Sequence, residues 1–216
     1  MEKTIVELFA GVGGFRLAFE NHLKWETLWA NQWEPSKKNQ FAYNCYIKNF
    51  SSHNAINEDI SNIDKKSIPT HTLLVGGFPC QDYSVARTKA QGIAGKKGVL
   101  WWQISAIIKA KKPPFILLEN VDRLLKSPST KRGRDFGIML RNLNDLGYGL
   151  EWRVVNAGEY GFAQRRRRVF IFCFNKKTNY HKFIKNSTPE DVFNKDGIFA
   201  KSFPITKLDT STIKST

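Results

Sequence analysis

Acidic residues are scarce in this chain. Nineteen Asp and Glu stand against 34 Lys and Arg, a net charge of +15 over 216 residues. Such a field draws polyanions and neutralises phosphates. The same excess also serves solubility or reflects a lysine-rich coding bias, so charge points to nucleic acid without singling it out. Cysteine is scarce too: Cys45, Cys80 and Cys173 are an odd set with no CxxC pair, which excludes a disulfide framework. With four histidines that lack ligand spacing, they propose no metal site. No apolar run approaches the roughly 18 residues of a membrane helix. The opening MEKTIVELFAG is acidic early and has no signal-type apolar core, so no secretion signal is expected and the cytoplasm is the default location.

What remains is an ordinary globular composition, 41% hydrophobic and 25% charged, long enough for one sizeable core. Apolar runs at residues 4–9, 25–30, 72–75 and 115–118 read as buried strands. Helical patterns are expected at 36–50 and 99–109, and at 136–146 with Gly147 closing it. Alternating strands and helices imply a parallel sheet covered on both faces. Near the end the alternation stops. Residues 152–155 and 169–174 form two strand patterns with only a loop of about a dozen residues between them, an antiparallel hairpin edge. The fold class expected is α/β, with a compact domain over 1–176. Residues 177–216 read as an irregular tail, or the start of a missing C-terminal region.

In open parallel sheets ligands collect beyond the carboxyl ends of the strands. Four segments fall there: AGVGG, NQW, GGFPCQ and ENV. FAGVGGF (9–15) sits where a strand gives way to a helix. It is either a tight turn needing small residues, or a place where backbone approaches a ligand. GxGG departs from the dinucleotide pattern GxGxxG, so a cofactor without a pyrophosphate, S-adenosylmethionine rather than NAD, matches better. Cys80 follows Pro79 in LLVGGFPCQDYSVART (73–88). It is either a small buried residue or a thiol aimed outward by the stiff proline. Glu119 ends an apolar strand, as a protonated hydrogen-bond donor or as an acid satisfied by helix amides. In AQRRRRVF (163–170), strand alternation would send Arg166 and Arg168 to one face and Arg165 and Arg167 to the other. As a bare basic run it would be a solvated edge or a phosphate patch.

Together, ELFAGVGGF, GGFPCQDYS, LLENV and QRRRRVF, in order and spacing over about residues 3–176, closely resemble the cytosine-5 DNA methyltransferase family. The resemblance implies a Rossmann-like S-adenosylmethionine-dependent methyltransferase fold. It also implies methyl transfer to carbon 5 of a cytosine flipped out of double-stranded DNA, in a bacterial restriction–modification setting. By the same resemblance Cys80 is the nucleophile, Glu119 the acid that contacts ring nitrogen N3 and the exocyclic amine, and Arg168 the arginine that helps hold the base. Phe9, Gly11, Gly13, Trp33, Asp59, Ile60, Pro79 and Leu100 fall at cofactor-contact positions. Gln81, Ser84 and Arg166 fall at DNA-contact positions.

Two departures carry expectations of their own. Gln32 stands where many members place a glutamate for the cofactor's ribose, so weaker cofactor binding is expected, and Glu34 is too near in sequence to substitute. No counterpart of the family's target-recognition domain and final GNSV-like segment is found. The chain is therefore expected to be a truncation, an incomplete piece or one subunit of a split enzyme, inactive or weakly active without a C-terminal complementing partner. Two other functions stand beside this one: a tRNA cytosine methyltransferase, disfavoured by GFPCQ in place of GPPCQ, and a non-catalytic relic or DNA-binding subunit.

Overall fold

The computed structural model describes residues 1–35, 37–50, 52–79, 99–127 and 130–205. Seven strands make one sheet in the order β3-β2-β1-β4-β5-β7-β6. They are β1 (Thr4–Leu8), β2 (Glu26–Asn31), β3 (Ala55–Ile56), β4 (Leu73–Gly77), β5 (Phe115–Val121), β6 (Tyr148–Asn156) and β7 (Arg167–Asn175). The first five run parallel, and β7 lies antiparallel to both β5 and β6. The hairpin edge expected from the loss of βα alternation is therefore present. Chain order reverses between β1 and β4, which makes that junction the switch point of the sheet.

Apolar residues reach both faces, as sheets covered on both sides require. On one face Val6, Leu8, Leu74, Ile116, Leu118, Val169 and Ile171 meet α3 (Val99–Lys111) and α4 (Arg134–Asp145) in the main core. Ile104, Ile107 and Ile108 supply the α3 side, and Phe136, Met139 and Leu143 the α4 side, both at helical spacing. On the opposite face Ile5, Leu73 and Val75 pack against Phe15, Phe19 and Trp25. These come from α1 (Gly14–Arg16), its π-helical continuation Leu17–His22, and the segment after it.

Two regions differ from expectation. The helix expected at 36–50 is the shorter α2, Phe41–Asn49. Ahead of it Gln40 closes a loop, accepting from the Glu34 amide at 2.8 Å and donating to the carbonyls of Glu34 and Lys37, each at 2.9 Å. The irregular course expected after residue 176 is instead helical, with α5 (Asn179–Ile184), α6 (Pro189–Asp191) and α7 (Ile198–Ser202). Ile184 and Phe199 join Phe172 and Phe174 of β7 in a further apolar cluster. Buried Arg153 of β6 binds the segment to the sheet, donating to the carbonyls of Phe193, Phe199 and Phe203. No described helix is long and apolar enough to cross a membrane.

Candidate active site at the carboxyl edge of the sheet

The turn after β1 is shaped by sterics. Phe9 has φ +53° and Gly13 φ +92°. A Cβ on Gly13 would lie 2.2 Å from the Phe50 ring, so only glycine fits there. The Gly11 amide donates to Gln32 Oε1 at 2.7 Å, and the Ala10 amide to the Asn31 carbonyl at 3.0 Å. The tip of β2 thus holds the turn. Space around the Gly11 α-carbon is open, and Trp33, next after Gln32, is 37% exposed. Glu34 serves α2 instead, its carboxylate accepting from the Ala42 amide at 2.9 Å. Asp59 is engaged by Ser61, from both amide and hydroxyl at 2.8 Å. Ile60 is packed inside the main core, with Leu100 partly buried against it. Of this group Trp33 is exposed, whereas the Ile60 side chain is buried.

Behind the turn lies a buried polar network. Tyr46 donates to Glu7 Oε2 at 3.0 Å, Arg16 donates to Tyr46 Oη at 3.2 Å, and Arg16 pairs with Glu20 at 2.9 Å. Burial pushes the Glu7 carboxyl up to about 7, against the opposing pull of the Tyr46 hydrogen bond and the Arg16 charge.

At the end of β5, Glu119 meets Arg168, Oε1 to Nε 2.8 Å, each side chain 22% exposed. Register explains the meeting. Arg168 sits opposite Val121, two residues beyond Glu119 on the same face, so the side chains reach each other diagonally. The acid expected as a lone donor or a helix-amide acceptor is therefore ion-paired. Gly77 lies alongside, and a Cβ there would come within 3.3 Å of Glu119 Oε2. Asn120, pointing to the other face, donates to the Phe78 carbonyl at 2.9 Å. That bond ties the end of β5 to the loop leading into exposed Pro79. Cys80, Gln81 and Ser84 lie outside the described residues. Arg166 precedes β7 rather than sharing a strand face with Arg168, so the alternation expected for the four arginines applies only from Arg167 onward.

Three contacts here were not drawn from the sequence: the Asn120 tether, the Glu7–Tyr46–Arg16 network, and an ion pair of Arg167 with Asp122 at 3.2 Å. Each joins residues far apart in the chain. The only local signs were a polar Asn and Asp flanking the end of an apolar strand, and an acid inside β1.

Comparison with known proteins bears on the family and the fold. The sequence profile of the C-5 cytosine-specific DNA methylase family matches residues 3–214, running past residue 176. The type II methyltransferase M.Sau3AI of Staphylococcus aureus is 55% identical over 207 residues, which is 93% of this chain and 50% of that protein. M.SsoII of Shigella sonnei is 37% identical over 86% of this chain and 46% of its own length. Among solved structures, the S. pombe Dnmt2 methyltransferase superposes with a TM-score of 0.60 at 20% identity, over 89% of this chain and 53% of that one, a likeness of fold. The chain spans about half the length of the curated relatives it matches. It belongs to the C-5 cytosine-specific DNA methylase family.

Proposed function

We propose that this chain is the catalytic half of a DNA (cytosine-5)-methyltransferase that acts on a flipped-out cytosine with S-adenosylmethionine. The observation that carries the reading is the Glu119–Arg168 pair at the strand-end rim, one tethered residue away from the loop that leads to Cys80.

The residues fit the cofactor. Open space at Gly11, the exposed Trp33 ring and the polar Gln32 side chain suit a sulfonium nucleoside held by Phe9, Gly11, Gly13, Gln32 and Trp33, with Asp59, Ile60, Pro79 and Leu100 around it. When bound, it supplies an electrophilic methyl group. The chain's own residues prepare the base. The Cys80 thiolate adds to carbon 6, and the displaced electron pair makes carbon 5 nucleophilic. Glu119, carrying a proton when the base is bound, donates to N3 and accepts from the exocyclic amine, so that its proton meets the negative charge that builds on the ring. Arg168 fixes the Glu119 carboxyl, so little reorganisation remains for the reaction itself. After transfer, loss of the carbon 5 proton re-forms the double bond and expels the thiolate. Gln81, Ser84 and Arg166 contact the DNA.

Target selection and full activity belong to a C-terminal complement. Val12 and Leu17, 59% and 51% exposed, give it an apolar surface beside the glycine turn. The test is tritiated methyl transfer from labelled cofactor to duplex DNA and to tRNA, with and without the C-terminal half of a family member. Counts in DNA cytosine, rising at least tenfold with the complement, support the reading. Counts in tRNA alone, or none with either substrate, overturn it.

A further inference from the structure

Behind the glycine turn, four side chains touch in sequence. Glu7 of β1 is fully buried, with uncharged Ala30 and Val75 beside it on the neighbouring strands. Tyr46 of α2 is buried as completely and donates to Glu7 Oε2, while Arg16 of α1 donates to Tyr46 Oη. The Arg16 guanidinium carbon lies 4.9 Å from the centre of the Phe50 ring. That ring fills the space a Cβ on Gly13 would need. The Gly13 amide donates to the Ala10 carbonyl at 2.8 Å, and its carbonyl accepts from the Leu17 amide at 2.9 Å, which closes the turn and starts the helix. The path from Glu7 ends on the backbone that the proposed cofactor site uses.

One proton sets the charge of this cluster. The ionisable groups facing Glu7 are Tyr46, Arg16 and, from the π-helical continuation of α1, Glu20. Glu20 neutralises Arg16 at 2.9 Å, so the cluster is uncharged while Glu7 holds its proton and negative once it is lost. Glu7 Oε1 is buried without a hydrogen-bond partner, less than an anion there needs. Burial brings the ionisation of Glu7 to about 7, where a modest outside charge shifts the balance between the two forms. A sulfonium nucleoside brings a fixed cation to the turn, and a dry interior transmits its field.

We propose that Glu7, Tyr46 and Arg16 are positioning residues for the glycine turn, and that the sulfonium cation is bound against an ionised Glu7 whose proton has passed to solvent. The Tyr46 hydroxyl and the Arg16 charge steady the anion, and Phe50 carries the arrangement to Gly13. The inference rests on the cofactor reading above and adds a buried counter-charge to the contacts at the rim.

Calorimetric dissociation constants of the full chain, measured from about pH 6 to 8, test it. The ligands are S-adenosylmethionine and S-adenosylhomocysteine, which has the same amine, ribose and base but a neutral thioether. The parent should bind S-adenosylmethionine about tenfold more tightly at the top of this range than at the bottom, the equivalent of about one unit of pKa. The thioether should show a much smaller change. Glu7→Gln should remove the extra pH dependence of the sulfonium ligand. Tyr46→Phe withdraws a hydrogen bond that favours the anion, so the midpoint of the curve should move upward. A merely structural tyrosine would weaken binding equally at every pH. Equal pH dependence for the two ligands, a sulfonium curve that keeps its slope in Glu7→Gln, or an unmoved midpoint in Tyr46→Phe overturns the proposal. Absence of binding by either ligand at every pH would overturn the cofactor reading, and this inference with it.

Discussion

Glu7 shows what a single buried residue does to this fold. It is fully buried, and its carboxyl is raised from 4.5 to about 7 by burial. A raised acid binds its proton more tightly when folded, so its stabilising share is complete below the unfolded value and is lost as pH climbs toward 7. That loss is roughly 3 kcal/mol. Urea midpoints measured from pH 5 to 8 should fall with pH in the parent, and fall less in Glu7→Gln; parallel curves would contradict this. Gln32 gives a second prediction. Its side-chain oxygen already accepts from Gly11, leaving only its amide NH₂ to face a ribose. A carboxylate would keep one oxygen for Gly11 and offer the other, so Gln32→Glu should bind the cofactor about tenfold tighter by calorimetry. Gly77 gives a third. In Gly77→Ala the new methyl must push the Glu119 carboxyl by tenths of an ångström. The variant should slow reaction with cytosine about tenfold while costing under about 1 kcal/mol of stability.

Elements were legible in proportion to how densely apolar they are. TIVELF and FILL announce β1 and β5 because nearly every residue in them is apolar or β-branched. The carboxyl ends of those strands announced the rim, so Glu119 and the glycine turn could be located in advance. Helices α5 to α7 were missed because their buried residues, Ile184, Phe199 and Ala200, are sparse among polar ones. Their caps were nevertheless written in the sequence: Thr178 and Thr188 cap α5 and α6, with Pro189 in the first turn of α6. What could not be read was Arg153, whose partners are three carbonyls at least forty positions away. Arg153→Met would strand those carbonyls and cost about 3 kcal/mol. Limited proteolysis should then cut within 177–203 before it cuts the sheet.

For the whole molecule, the net charge of +15 and the strand-end rim point the same way. A basic chain presents its acid–arginine pair at that rim, where the proposed function needs the flipped-out base. The order of the four motifs made the family legible, while no motif could reveal that Asp122, just past β5, pairs with Arg167 at the start of β7. The most direct measurement of the central claim is covalent trapping on duplex DNA carrying 5-fluorocytosine, with cofactor and the C-terminal complement present, read by intact-mass spectrometry. An adduct of chain plus DNA that disappears in Cys80→Ala and forms about a hundredfold more slowly in Glu119→Gln is the predicted result. An adduct that survives in Cys80→Ala, or none in the parent, would contradict it.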